Sequence, residues 1–327
     1  MARQQSDNLD AAVVLIKASH KAVVLAHINP DGDTLGSALG LALGLRQLGK
    51  EAEVFCADTL PENLAFLPAY GEIRTQGPLP PDVDLVVLVD ASDISRFGTL
   101  SQGSEGFCAR AACLNVDHHT TNGRFAAVNL VDPTAAATGE QIFALLGALG
   151  VDIDPAIATC LLTAVVTDTR GFRTASTTPR TLAIAAQLHA KGAPLADIVQ
   201  SVYYNRPFTT LRLWGLALER LRCRDGVAWT EITLAMQAQV GATPSEGDGV
   251  IDLMASLRQV TAVALFRETP EGIKVSLRST DGFDVSAVAA RFGGGGHPRA
   301  AGCFIPGGLA AAEDKVLQYL AERAAAP

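Results

Sequence analysis

The stretch from Ala22 to Asp33, Ala-Val-Val-Leu-Ala-His-Ile-Asn-Pro-Asp-Gly-Asp, places three potential metal ligands, His27, Asp31 and Asp33, directly after an apolar run. Asp90 closes a second apolar run that begins at Asp84, and Asp117-His118-His119 closes a third that spans Ala111 to Val116. Asp168 follows the mostly apolar segment Pro155 to Thr167. Taken singly, an Asp at a strand end is ordinarily a cap or turn former, and a lone His is ordinarily packed or on the surface. Together they are a different matter, because carboxylates gathered at one edge repel one another unless cations neutralise them. Mixed imidazole and carboxylate ligands suit Mn, Fe, Co or Zn better than Ca.

These groups need a scaffold that delivers them to one place. Val23 to Ala26 reads as a doubly covered parallel strand, broken by Pro30 and Gly32, and Thr34 to Leu48 reads as a helix ended by Gly49. Ala52 to Cys56, Asp84 to Asp90, Ala111 to Val116 and Phe125 to Val131 read as further strands. Helices are predicted at Ser6 to Ser19, capped by Ser6 or Asp7, and at Ala137 to Leu149, Pro155 to Thr167, Thr178 to Lys191 and Pro194 to Tyr203. This alternation predicts an α/β domain, a parallel sheet with helices on both faces. Such sheets bind ligands beyond the carboxyl ends of their strands, where the acids and imidazoles would stand.

A chain of 327 residues is long enough for two such cores. The expected division is a catalytic domain over 1–190, a linker over 191–222 containing a connecting helix, and a second domain over 223–327. The linker helix, entered through Arg206-Pro207 and running from Phe208 to Arg222, is the expected pivot. Beyond it, short strands (Val227 to Thr233, Thr261 to Phe266, Ile273 to Arg278) and helices (Val250 to Leu257, Val285 to Phe292, Leu309 to Ala324) predict a smaller α+β domain. Its most distinctive stretch is Gly293-Gly294-Gly295-Gly296-His297, where glycine amides could converge on an anion.

Composition excludes several classes. Hydrophobic residues at 48% and charged residues at 18% belong to an ordinary globular chain, not a disordered one. No stretch approaches the ~20 apolar residues of a membrane span, and Met1 to Gln5 lacks the apolar core of a secretory signal, so the expected location is the cytoplasm without a membrane partner. The six cysteines are scattered without a C-x-x-C pair, which predicts reduced thiols rather than a zinc knuckle or disulfide framework. A net charge of −8 would repel the phosphates of long nucleic acid, so a phosphate-bearing substrate should be small.

The order His-x-x-x-Asp-x-Asp, strand-end Asp, Asp-His-His and helix-end Asp resembles the DHH phosphoesterase superfamily. Lys274-Val275-Ser276-Leu277-Arg278-Ser279, followed by Gly-Gly-Gly-Gly-His-x-x-Ala-Ala-Gly, is similar to the DHH-associated substrate domain of nanoRNases and pAp phosphatases. The resemblance covers nearly the whole chain, from about Ala12 to Leu320. It implies two divalent ions, Mn²⁺ first with Mg²⁺ or Co²⁺ as substitutes, held by His27, Asp31 and Asp90 on one side and by Asp33, Asp90, His118 and Asp168 on the other. Asp90 would bridge, Asp117 would orient a ligand imidazole, and His119 would face the phosphate. Arg278, Ser279, Gly294, Gly295, Gly296 and His297 would bind substrate. Weaker carry-overs are Asn29, Ser37, which also reads as a plain helix residue, and Arg96, which reads equally as a phosphate contact or a surface residue. Arg299 is not demanded by the resemblance.

The implied activity is a two-metal phosphodiesterase and phosphatase, an oligoribonuclease and 3′,5′-bisphosphate nucleotidase. It would trim very short RNA to 5′-mononucleotides and convert pAp to AMP and phosphate. Two alternatives remain: a phosphodiesterase for linear or cyclic dinucleotide signals, and a nucleotide-binding regulator without turnover. Short oligoribonucleotides and small nucleotides are the expected partners, and a homodimer is the assembly to test.

Overall fold

The computed structural model describes residues 2–101, 110–280 and 282–324. The chain forms two compact units, Met1–Asn205 and Arg206–Pro327. In the first, α1 (Ala2–Ala18), β1 (Lys21–Ala26), α2 (Gly32–Gln47), β2 (Glu51–Cys56), β3 (Leu85–Val89), β4 (Ala112–Asp117) and β5 (Val128–Val131) precede α3 (Thr138–Ala148), α4 (Pro155–Asp168), α5 (Pro179–Ala190) and α6 (Leu195–Val199). Helix α1 starts at Ala2, so Ser6 and Asp7 lie within it rather than capping it. The Arg and Gln residues before them are good helix formers and carry the helix upstream.

The five strands are all parallel, in the order β2-β1-β3-β4-β5. The sheet grows from β1 first to one side and then to the other, which creates a topological switch point between β1 and β3. Alternate residues divide between two faces. Ala22, Val24, Leu85, Val87 and Leu114 join the larger core with residues of all six helices. Val23, Leu25, Val86 and Leu88 pack with Phe97, from the 3₁₀ segment Ile94–Ser101, on the opposite face.

One seam sets the distance between helices. Gly32, Gly36 and Gly40 recur every fourth residue along α2, on the side that meets α4. A Cβ on Gly36 would lie 2.4 Å from the Cys160 carbonyl oxygen, and one on Gly32 would lie 2.3 Å from Thr167 Cγ2. The start of α2 therefore abuts the end of α4, so the two helices run antiparallel and bring Asp33 to Asp168.

The second unit contains α7 (Phe208–Glu219), β6 (Arg222–Arg224), β7 (Val227–Ile232), α8 (Leu234–Val240), α9 (Val250–Met254), β8 (Ala262–Thr269), β9 (Gly272–Ser279), α10 (Ser286–Arg291), β10 (Gly295–His297), β11 (Ala300–Ile305) and α11 (Leu309–Ala324). Its six-stranded mixed sheet runs β10-β11-β9-β8-β7-β6, with β7 and β8 the parallel pair. Helix α7, expected as a pivot in a linker, packs into this unit: Leu213 and Ala217 are buried with Ile232, Met236, Val250 and Val263. Its apolar face belongs to that core, so the division falls before it, at Asn205 and Arg206.

Cys56, Cys160, Cys223 and Cys303 are free, but Cys113 is disulfide-bonded, contrary to the expected reduced set. Sequence spacing does not report the spatial proximity on which pairing depends. Cys108 lies outside the described residues. Among those described, no helix is long and apolar enough to cross a membrane.

Candidate functional site

Strand β1 ends at Ala26 and releases His27 at the switch point. Asp31 then caps α2, accepting hydrogen bonds from the amides of Asp33 (3.0 Å) and Thr34 (3.1 Å), both through Oδ1. Asp33, in the first turn of α2, is buried. Its Oδ2 accepts from the Thr138 amide at 2.7 Å, and its Oδ1 from the Gly139 amide at 3.0 Å and the Ser37 hydroxyl at 3.2 Å. Asp90 follows β3 with φ 60°, a left-handed conformation uncommon outside glycine and concentrated at functional sites. That turn aims its two oxygens at different imidazoles: Oδ2 lies 3.4 Å from His27 Nε2, and Oδ1 lies 3.6 Å from His118 Nε2. The Thr138 hydroxyl donates to Asp90 Oδ1 at 3.0 Å.

Both of these imidazoles present Nε2 to the carboxylates. His27 Nδ1 meets the Ile28 carbonyl at 2.8 Å, and His118 Nδ1 meets the Ala135 carbonyl at 3.3 Å. A proton on each Nδ1 fits those contacts, so an Nε2 that gives up its own proton would turn a lone pair to a cation. His118 Nε2 is also 3.8 Å from Asp33 Oδ2 and 3.6 Å from Asp168 Oδ2. Three sets of donors could thus hold a metal ion: His27, Asp31 and Asp90; Asp33, His118 and Asp168; Asp90, His118 and His119, with the donor atoms of each set within 4.8 Å of one another.

The electrostatics fit a cation site. Burial, then the charges of Asp90, Asp168 and Asp31, push the Asp33 carboxyl well above its ordinary range. Burial likewise raises Asp168 to about 7, with the charges of Asp90 and Asp31 adding to it and His118 opposing. Asp90 goes the other way: burial opposes its ionisation, but the His27 hydrogen bond and the His27, His118 and His119 imidazoles lower it to about 2. His119 Nδ1 lies 2.6 Å from Asp117 Oδ1, and despite burial that hydrogen bond and nearby carboxylates raise His119 to about 9. Carboxylates forced together with imidazole nitrogens facing them are groups that could hold a metal ion.

Residues 21–165 match the model of the DHH family's N-terminal domain, and residues 231–326 match that of the DHHA1 domain. The chain is 37% identical to the bifunctional oligoribonuclease and PAP phosphatase NrnA of Thermus thermophilus, over 94% of this chain and 92% of that one. The chain belongs to the DHH family. A bifunctional oligoribonuclease and PAP phosphatase NrnA of Bacillus subtilis is 25% identical over 85% of this chain and 87% of its own. Among solved structures, an exopolyphosphatase-related protein of Bacteroides fragilis superposes with a TM-score of 0.91 at 27% identity, covering 97% of this chain and 96% of that one.

Within the first unit, the expected ligands His27, Asp31, Asp33, Asp90, His118 and Asp168 come together, and Ser37 supports Asp33. The imidazole that Asp117 holds is that of His119; the backbone of Ala135 orients His118 instead. Arg96 approaches His27 Nδ1 at 3.3 Å through Nη2, while Asn29, at φ 52°, donates its amide to Asp58. Thr138, Gly139 and Asn122 escaped the sequence reading. Thr138 and Gly139 secure Asp33, and Asn122 Nδ2 donates to Asp117 Oδ2 at 2.6 Å. The available signal was Ala137-Thr138-Gly139 opening a helix.

In the DHHA1 unit the strand register aligns Arg278, Ala300 and His297 in one row across β9, β11 and β10. The Arg278 Nε donates to Asp252 at 2.9 Å, and the Ser279 hydroxyl donates to the carbonyls of Phe283 (2.6 Å) and Pro298 (3.2 Å). The His297 side chain lies outside the described residues. The glycines form less of an anion cradle than expected. The Gly293 and Gly294 amides donate to Ala290 and Ala289, ending α10, and Gly295 and Gly296 pair with β11. A Cβ on Gly294 would stand 2.1 Å from the Gly302 carbonyl oxygen, so close strand approach explains that glycine. Gly295 has open space around it.

Proposed function

We propose that this chain is a metal-dependent hydrolase that cleaves very short oligoribonucleotides to 5′-mononucleotides and converts pAp to AMP and phosphate. The observation that carries the reading is Asp90, whose two oxygens face His27 and His118 separately, as a carboxylate shared by two cations should. The printed activities of the Thermus and Bacillus relatives supply the substrate class.

His27, Asp31 and Asp90 would hold one divalent ion; Asp33, Asp90, His118 and Asp168 would hold the other. Mn²⁺ suits that donor set, with Mg²⁺ or Co²⁺ as substitutes. Such ions activate water and neutralise charge developing on a phosphoryl group. Asp117 holds His119 by Nδ1 and favours its protonated form, so His119 offers a cationic donor to a phosphate oxygen or a proton to the departing 3′-oxygen. Both proposed reactions break a bond between phosphorus and a 3′-oxygen, and one constellation serves both. In the second unit, Arg278, Ser279, Gly294, Gly295, Gly296 and His297 are the proposed substrate-binding residues.

The test is release of mononucleotides from an RNA dinucleotide, and of phosphate from pAp, by metal-stripped protein to which Mn²⁺ is restored. Hydrolysis of both that stops with EDTA is expected. Binding of either without product under Mn²⁺, Mg²⁺ and Co²⁺ would leave a nucleotide-binding regulator, and turnover of cyclic dinucleotides alone would redirect the assignment to signal degradation.

A further inference from the structure

A second charged cluster stands behind the first turn of α3 and includes none of the proposed ligands. Arg180, at the start of α5, lies 2.8 Å from Asp132 Oδ2 through Nη1 and 3.2 Å from Glu140 Oε2 through Nε. The two acid side chains are only 4% and 1% exposed, against 43% for the arginine. Buried carboxylates at such positions require a counter-charge, and Arg180 supplies it to both.

What these acids adjoin gives the cluster its meaning. Glu140 follows Thr138 and Gly139, whose amides hold both oxygens of Asp33. The Asp132 amide donates to the Asp117 carbonyl at 3.1 Å, and Gln141 donates to that same carbonyl from the same turn of α3. The turn has little room to drift, since a Cβ on Gly139 would meet Ala164 at 2.6 Å.

We propose that Arg180 is a positioning residue for the metal centre: by clamping Glu140 and Asp132 it fixes the first turn of α3, and through it the carboxylates of Asp33 and Asp90. The inference rests on the metal-dependent reading above.

The experiment is calorimetric titration of EDTA-stripped, full-length protein with MnCl₂, alongside thermal melts and dinucleotide kinetics at saturating Mn²⁺. Arg180→Gln is expected to weaken Mn²⁺ binding by about 10–100-fold, the range for groups that orient ligands. Arg180→Lys should recover most of that loss, and KM for the dinucleotide should stay within about twofold of wild type, since the clamp is not assigned to substrate binding. Because Arg180→Gln takes the counter-charge from the buried Glu140 and can fail to fold, the double variant Glu140→Gln/Arg180→Gln removes that charge with the arginine. It should melt closer to wild type yet still bind Mn²⁺ weakly. Leu188→Ala, in the fully buried core of the same helix, provides equal destabilisation without touching the clamp. Wild-type Mn²⁺ affinity in the double variant, or an equal loss in Leu188→Ala, would overturn the proposal and leave Arg180 a purely structural residue. Absence of Mn²⁺ binding in the wild type would instead overturn the metal-dependent reading, which keeps the two failures apart.

Discussion

Asp33, Asp90 and Asp117 in the first unit are 1%, 3% and 0% exposed, and backbone amides, hydroxyls or imidazoles hold each of them. Arg278 and Ser279 in the second unit sit partly exposed at the end of the interior strand β9, tied to Asp252 and to backbone carbonyls. The difference is one of stored electrostatic work. The first unit spends stability to hold like charges together out of water, a cost that a cation recovers. In the second, the Arg278 cation lies against the Asp252 carboxylate near solvent, an arrangement that is cheap to keep and ready to exchange partners. Under the proposed function, chemistry is assigned to the first kind of site and recognition to the second.

The largest expected effect comes from attacking the crowded site where it is most shared. Asp90→Asn keeps the shape and tolerates the left-handed backbone, yet removes the charge facing both imidazoles. Hydrolysis of RNA dinucleotides and of pAp should fall together by about 10²–10³-fold or more, with circular dichroism unchanged. A variant retaining half its activity on both would end the shared-carboxylate reading.

Next comes the recognition side. Arg278→Ala should raise KM for a dinucleotide by about 10–100-fold, the equivalent of losing a charged hydrogen bond of about 1.5–3 kcal/mol. Mn²⁺ affinity and slow hydrolysis of bis-p-nitrophenyl phosphate should survive it. Equal loss on both substrates would mean that the contrast between the units is false.

Smaller effects separate packing from binding. Gly294→Ala forces a methyl against the Gly302 carbonyl and should cost about 1–3 kcal/mol of stability by thermal melt, while calorimetric Mn²⁺ binding persists. Smallest, Asp168→Asn relieves a half-buried, crowded charge. In EDTA its Tm should rise by about 2–4 °C, the shift that about 1 kcal/mol produces in a domain of this size, and added Mn²⁺ should stabilise it less than wild type. A fall in Tm in EDTA would show that the carboxylates are not in conflict.

The sequence was most informative where one residue type carries both a local pattern and a chemical role. Val23 to Ala26 announces a strand and His27 marks its end, so β1 and the candidate ligand are legible together. Asp90 and the Asp117-His118-His119 run were legible for the same reason. Thr138 and Gly139 were not, because their contribution is made by backbone amides, which any residue possesses. The clamp of Arg180 on Glu140 and Asp132 spans separate elements and leaves no local signal. In the second unit, β10 and β11 were missed because Gly and Ala are poor strand formers whose pairing is decided by tertiary contacts. Helix α7 was assigned to a linker because amphipathic periodicity shows that a face is buried without showing against what.

The glycine seam of α2 closes one common route to heat resistance. Replacing helical glycines by alanine ordinarily gains about 0.5–1 kcal/mol each, and an engineer seeking a hardier protein would begin there. At Gly36 the added methyl would strike the Cys160 carbonyl oxygen at 2.4 Å and wedge α2 from α4. Since Asp33 rides on the first helix and Asp168 on the second, that wedge would change the spacing of these two candidate ligands. The seam is a calliper: its glycines give up helix propensity to set an aperture, and thermal adaptation of this unit has to be sought elsewhere on its surface.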